Sequence, residues 1–284
     1  MTTVIATLCT GRYLWENFLI MKLLIPKTVV STAVVASFLL ASGCVKNLPV
    51  FKKLAKDGQT DCKACSILQV TSYNSETLGV DSATYTFTYN AAGDPVIMRT
   101  SHVNTGNPNA VFRYDRRGQL VELVEPYENQ AYESWYKFVY NDRGQIIRDT
   151  QRIFGQYIDS VPIPWVAEGY ILHQFTYDAF NRIVVEDLSS YTPAGGFSGG
   201  FDNTYEYDSN GDLIQQGVQY DSHLSLLRTN KIWMFLARNY SINNGFTATA
   251  YNAHDLPLTF QLLPSVMPRV VPINGFFNVK YGCR

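Results

Sequence analysis

The fold is decided by the stretch Phe112-Arg113-Tyr114-Asp115-Arg116-Arg117-Gly118-Gln119-Leu120. Aromatic residues alternate at its start, as in a β-strand with one buried face. Asp115 suits the first position of a turn, because its carboxylate can accept a backbone N–H two residues on. Gly118 supplies the left-handed conformation that closes the turn, and Leu120 begins the returning strand. The nine residues therefore predict an antiparallel β-hairpin.

The same pattern recurs along the chain. Its other copies are Phe87–Val96, Phe138–Ile146, Phe175–Ile183, Tyr205–Leu213 and the degenerate Tyr251–Leu258. The predicted turn residues are Gly93, Gly118, Gly144, Asn181 and Gly211, with Asp255 in the degenerate copy. Because each copy predicts a hairpin, we expect an all-β fold: an antiparallel meander that forms a curved sheet or a closed porin-like barrel. Residues 62–284 are taken as one β domain.

Five further segments complete the predicted layout. Leu224–Tyr240 is the one place where a helix is expected. The prolines of Val161–Trp165 predict a stiff extended segment, whereas the glycines of Pro193–Gly200 predict a flexible one. Cys65–Tyr73 and Phe276–Tyr281 are predicted to be the first and last strands.

The N-terminal region predicts export. Residues 21–43 begin with lysines, continue with a short apolar run and end in small residues before Cys44, which resembles a bacterial lipoprotein signal peptide and its lipobox. On this interpretation Cys44 is diacylated and becomes the new N-terminus, and residues 44–61 are the lipid anchor and tether. Residues 1–20 are interpreted as upstream over-translation. The alternatives are a structural Cys44 after a buried helix and an extra N-terminal helix.

The remaining cysteines predict a disulfide. Cys62-Lys63-Ala64-Cys65 precedes a strand pattern, so it lacks the helix N-terminus that activates a redox pair and the second pair that a zinc site needs. In an exported protein a structural disulfide is expected. Barrel closure would bring the first and last strands together. We therefore predict a Cys65–Cys283 bond, with Cys62–Cys283 as the alternative.

No catalytic, cofactor or metal residue is predicted. Asp208–Asp212 has the spacing of a calcium loop, but it lacks the downstream Glu and coincides with a repeat turn. The four histidines are scattered, and the nucleotide-binding and nucleophile motifs are absent. With 23 basic and 24 acidic residues the formal net charge is −1, which argues against a nucleic-acid partner.

Two resemblances follow from these motifs. The Tyr-Asp-x-x-Gly-x-Leu hairpins over Tyr85–Leu258 resemble the YD repeats of the RHS family, which wind into β-sheet shells. Six copies are too few for such a shell around cargo. With its lipobox, the chain is instead similar to small Bacteroidetes outer-membrane lipoproteins that carry a porin-like β-barrel domain of unknown function. This resemblance implies an architecture rather than an activity.

Three functions remain open. The first is a non-enzymatic cell-envelope lipoprotein, membrane-bound through Cys44 and periplasmic or surface-facing, that binds a glycan or a peptide inside or at the rim of the barrel. The second is a structural or assembly partner of another envelope protein, and the third is an unrecognised hydrolase. An open polar interior would favour a ligand, and a packed interior would favour a scaffold. The chain's 19 Tyr, 16 Phe and 4 Trp suit either sugar stacking or a core.

Overall fold

A computed structural model describes residues 65–75, 80–262 and 275–283, all within one unit of the chain, Pro49–Arg284. The predictions that lie outside these residues are the over-translated segment 1–20, the signal peptide 21–43, lipidated Cys44 with the tether 44–61, and Cys62. Among the described residues, no helix combines the length and the apolar character needed to cross a membrane.

The described residues form an antiparallel sheet of fourteen strands. In chain order these are β1 Cys65–Ser75, β2 Val80–Tyr89, β3 Pro95–Thr100, β4 Ala110–Tyr114, β5 Leu120–Pro126, β6 Ala131–Tyr140, β7 Ile146–Ile158, β8 Val161–Pro164, β9 Tyr170–Tyr177, β10 Ile183–Tyr191, β11 Phe197–Thr204, β12 Thr247–Tyr251, β13 Pro257–Leu262 and β14 Gly275–Cys283. A 3₁₀ turn at Leu226–Thr229 and the helix α1, Lys231–Ala237, lie between β11 and β12. The all-β prediction is confirmed.

The strand order is β11-β10-β9-β7-β6-β5-β4-β3-β2-β1-β14-β13-β12, with β8 paired to β7. Strands that are consecutive in sequence are mostly neighbours, so the sheet is the predicted meander. β1 pairs with β14, and Cys65 and Cys283 are cross-strand partners joined by a disulfide, with their Cα atoms 4.0 Å apart.

The first and last strands pair as predicted and a disulfide joins Cys65 to Cys283, but the expectation that this pair closes a barrel is corrected. The first and last strands are neighbours, but the ladder continues beyond β14 to β13 and β12, because the sixth hairpin adds to the far side of β14. The disulfide therefore joins two strands that both have a further neighbour, and it does not lie at an edge of the sheet. Among the described strands the ladder ends at β11 and β12, which makes the structure a curved sheet rather than a closed barrel.

The turns of the six copies share one hydrogen-bond pattern. The side-chain oxygen of the first turn residue accepts the backbone N–H groups two and four residues on; these acceptors are Asn90, Asp115, Asn141, Asp178, Asp208 and Asn252. The residue three positions on has positive φ: 83° at Gly93, 73° at Gly118, 74° at Gly144, 64° at Asn181, 86° at Gly211 and 67° at Asp255. The N–H of Gln119 is the main reason that the pKa of Asp115 is lowered.

The repeat tyrosines have a structural role that alternation alone does not reveal. The hydroxyl of Tyr114 donates to the carbonyl of Pro95 at 2.7 Å, and that of Tyr177 donates to the carbonyl of Ile146 at 2.8 Å. Each acceptor lies two residues after the turn glycine of the preceding copy. Burial raises the pKa of both tyrosines, so each hydroxyl stays protonated and links one hairpin to the next.

The fifth copy departs from the prediction. It has the turn geometry, but its flanks form only an isolated bridge between Tyr207 and Leu213. The N–H of Leu213 donates to the Ser241 hydroxyl at 2.9 Å, and the carboxylate of Asp212 accepts from the backbone and side chain of Asn243. The returning backbone is therefore bound to the segment after α1 instead of to a strand.

Two segment predictions also change. Within Leu224–Tyr240 the helix covers only Lys231–Ala237, because Arg238 has φ 52° and ends it. Pro193–Gly200, predicted to be flexible, contributes its last four residues to β11. Val161–Pro164 is extended as expected and pairs with β7 as β8.

Helix α1 fills the inner side of the curved sheet. The ring of Trp233 meets Phe87 and Phe112 edge-on, with centroids 5.5 and 5.7 Å apart. Phe235 meets Phe138 and Phe175 in the same manner, at 5.8 and 5.3 Å. Such pairs add to the free energy gained from burying aromatic area. The inner face of β2, β4, β6 and β9 is thus a packed core.

Replacing Gly118 with Val tests the turn geometry. A Cβ at this position would contact nothing within 4 Å, so the expected loss of stability arises from the backbone angle φ of 73° and not from a steric clash. A β-branched residue is disfavoured there by more than about 1 kcal/mol. Chemical denaturation should show this decrease in the free energy of unfolding. Arg116→Val, at an exposed position of the same turn, is the control and should change it by less than about 0.5 kcal/mol; equal effects would contradict the turn assignment.

Candidate functional site

The inner face carries a buried charge cluster beside α1, formed by Asp149, His173, Glu186 and Arg238. Their exposed fractions are 0%, 1%, 3% and 5%. Strands β7, β9 and β10 supply the first three residues, and Arg238 follows the last residue of α1. Charged side chains are rarely buried this deeply unless they are paired.

Arg238 is the centre of this cluster. Its Nε donates to Glu186 Oε1 at 3.0 Å, its Nη2 donates to Asp149 Oδ2 at 3.4 Å, and its guanidinium lies 4.3 Å from the centroid of Phe175. Glycine would adopt φ 52° more readily. An arginine at this position therefore indicates that the hydrogen bonds of its side chain outweigh the less favourable backbone conformation.

His173 completes the cluster. Its Nδ1 lies 3.0 Å from Glu186 Oε1, and its Nε2 lies 3.3 Å from Gln151 Oε1 and 3.9 Å from Asp149 Oδ1. The hydroxyl of Tyr205 donates to the other Glu186 oxygen at 2.7 Å. With His173 neutral the four groups carry a formal charge of −1, and with it protonated they carry none. The positive charge of Arg238 at the end of α1 therefore offsets the negative charges of the carboxylates on the strands.

The opposite face of the same strands carries an aromatic row. It consists of Trp135 on β6, Tyr170 on β9, Tyr191 on β10 and Phe197 on β11, with Arg152 on β7 between the first two. Trp135 is paired with Arg152, Tyr170 with Tyr191, and Tyr191 with Phe197. Since side chains alternate between faces, this row points away from the buried charge cluster.

Ring contacts align the row. Arg152 lies 5.4 Å from the centroid of Tyr170, and Tyr170 stacks on Tyr191 at 4.9 Å with an interplanar angle of 12°. Phe197, 66% exposed, meets Tyr191 edge-on at 6.0 Å. Five adjacent strands spaced about 4.8 Å apart give the row a length of about 19 Å. It is a long, partly exposed aromatic surface flanked by cations.

The predicted site residues are distributed rather than gathered. The turn residues Gly93, Gly118, Gly144, Asn181 and Gly211 lie in separate turns at one end of the meander. Cys65 and Cys283 lie at that end too, since one begins β1 and the other ends β14. The calcium-like spacing serves the turn: Asp208 accepts backbone N–H groups as Asn90 does in its own copy.

The histidines, which show no motif in the sequence, have different environments. His173 belongs to the buried charge cluster, His254 lies beside the disulfide, and His223 stacks on Tyr251 at 3.6 Å. The signal that sequence analysis missed is Arg238 within the polar run Arg238–Asn244, where a charged residue directly follows the apolar helix.

Comparison with known proteins gives distant structural likenesses alone. No protein-family model matches the sequence, and no curated protein matches it. Among solved structures, the fold is similar to a porin-like protein from Bacteroides uniformis, with a TM-score of 0.42 and 12% sequence identity; the match covers 79% of this chain and 98% of that chain. A similarity of this size carries no inference about function.

Replacing Arg238 with Met tests the buried charge cluster. The substitution keeps an unbranched apolar stem but leaves two buried carboxylates without their cation, so the free energy of unfolding should fall by about 3–5 kcal/mol. Equilibrium denaturation measures the change. Arg116→Met, which alters an exposed arginine, is the matched control. If the two variants had equal stability, the cluster would not hold α1 to the sheet.

Proposed function

We propose that this chain is a non-enzymatic cell-envelope lipoprotein that binds a glycan along the aromatic row. The row itself is the observation that carries the proposal. Aromatic faces are electron-rich and contact the C–H faces of sugar rings, while nearby cations and amides can bond the hydroxyl groups. Arg152 within the row and Lys137, whose ammonium lies 4.6 Å from the centroid of Trp135, provide such polar neighbours.

The packed interior is the outcome that favours a scaffold over a ligand bound inside the sheet, so a glycan site has to lie on the outer face. Trp233 and Phe235 occupy the concave side of the sheet, so the ligand is placed on the outer face instead of inside. The length of the row suits an oligosaccharide better than a monosaccharide. Strong burial of the charge cluster supports a non-enzymatic role, because a substrate would have to displace α1 to reach Glu186 or His173.

Attachment to the cell envelope follows from the N-terminal pattern. We propose that Cys44 carries a diacylglyceryl group and that residues 44–61 tether the β domain to the membrane.

Mass spectrometry of membrane-fraction protein tests the anchor. The expected product begins at Cys44 and carries the mass of a diacylglyceryl group. Cys44→Ser should abolish this modification and release the chain into the soluble fraction, whereas Cys62→Ser should leave both unchanged. Release of the unaltered protein by high salt would contradict lipid attachment.

A glycan array probed with the full chain tests the ligand. Tyr191→Ala and Tyr170→Ala should each weaken binding at least tenfold, since stacking of a ring on each is lost. Phe180→Ala is the control, because Phe180 is 45% exposed but lies in a repeat turn outside the row. Equal binding by all three variants would exclude the row as the glycan site.

The alternative function is assembly with another envelope protein. Among the described strands, β11 ends the ladder, and its Phe197 and Phe201 are exposed by 66% and 62%. An edge strand of this kind can accept a strand from a partner. Failure to capture any glycan, together with reproducible co-purification of one envelope protein that is lost on deleting β11, would favour this alternative.

A further inference from the structure

Cys65, Cys283 and His254 form a cluster that the proposed glycan site does not use. One ligand atom from each, the two Sγ atoms and a ring nitrogen, lie within 4.8 Å of one another. The three residues come from the start of β1, the end of β14 and the turn between β12 and β13. Two thiolates and an imidazole are ligands that zinc prefers.

The turn holds His254 in place. Its N–H donates to Asn252 Oδ1 at 2.9 Å, and Leu256 donates to the same oxygen at 3.0 Å. The residues at the same position in the other five turns are Ala92, Arg117, Arg143, Phe180 and Asn210. Since none of these is a histidine, turn geometry does not require one. The imidazole is therefore an addition specific to the turn that faces the disulfide.

A cavity adjoins the cluster. It has a volume of about 290 Å³ and is lined by Cys65 and His254 together with Arg228, Thr229 and Leu256. Cys65 is buried, whereas Cys283 is exposed to solvent. A soluble reductant can thus reach one sulfur directly, and the cavity leaves room for a further ligand such as water.

We propose that the Cys65–Cys283 disulfide is a redox switch for a zinc site completed by His254. A dithiol reductant supplies two electrons and two protons, becomes a disulfide itself, and converts the Cys65–Cys283 bond into two thiols. Binding of Zn²⁺ then releases the two thiol protons, and the thiolates and the neutral imidazole coordinate the ion. The fourth position faces the cavity and is open, as in zinc sites that take water or an exchangeable ligand.

Both states join the same two strands. In the oxidised state the sulfur–sulfur bond links β1 to β14, and in the reduced state the ion links both strands to the β12–β13 turn as well. The switch thereby exchanges a covalent link for a metal link without separating the strands. This site is independent of the aromatic row, which lies on different strands.

Cobalt titration tests the proposal. In the full-length protein, Cys9, Cys44 and Cys62 are replaced by Ser so that Cys65 and Cys283 are the remaining cysteines. This protein is reduced with dithiothreitol, the dithiothreitol is removed under anaerobic conditions, and the protein is titrated with Co²⁺ and then with Zn²⁺. One equivalent of Co²⁺ should give thiolate charge-transfer absorption and the d–d bands of a tetrahedral ion, and Zn²⁺ should displace it. The oxidised protein should show neither signal.

Variants of His254 assign the third ligand. His254→Ala should weaken Co²⁺ binding at least tenfold and change the d–d bands, His254→Cys should restore tetrahedral binding, and His102→Ala should match the parent. Circular dichroism verifies that each variant is folded. Reduced parent protein that binds no metal, or His254→Ala that binds as tightly as the parent, would overturn the proposal.

Discussion

Edge-on packing of Trp233 and Phe235 against the inner face of the sheet is the contact on which the rest of the structure depends. The repeated hairpins place aromatic residues on one face of every second strand, and a single sheet cannot cover that face by itself. The segment between β11 and β12 supplies the cover by forming α1. The sheet curves around this helix, so its concave side becomes a core.

Arg238 fixes the orientation of α1 relative to the sheet. Hydrophobic burial is roughly proportional to area and does not fix an orientation, whereas hydrogen bonds from one guanidinium to Glu186 and Asp149 do. A left-handed residue that ends the helix is normally glycine, and here it is an arginine bonded to strands β7 and β10. The cluster therefore fixes how α1 meets the sheet, at the cost of burying two carboxylates.

The division between faces also shapes the functional proposal. The inner face is occupied by core and charge cluster, and the outer face of the same strands carries the aromatic row. Strand alternation separates the two, so that Tyr191 lies on the outer face while Glu186, five residues earlier, lies in the buried charge cluster. At the turn end of the sheet, the disulfide and His254 form a third region with its own chemistry.

Local chemistry determined much of this protein from sequence alone. Asp115 and Gly118 specify their turn because both act within five residues, whereas the sequence left Cys62 and Cys65 as alternative partners of Cys283. Other features depended on tertiary structure. Arg238 meets Asp149 across 89 residues, the fifth hairpin is diverted to Ser241 and Asn243, and the sixth adds beyond β14. No local pattern encodes these contacts, because each forms only when distant segments converge on the same surface.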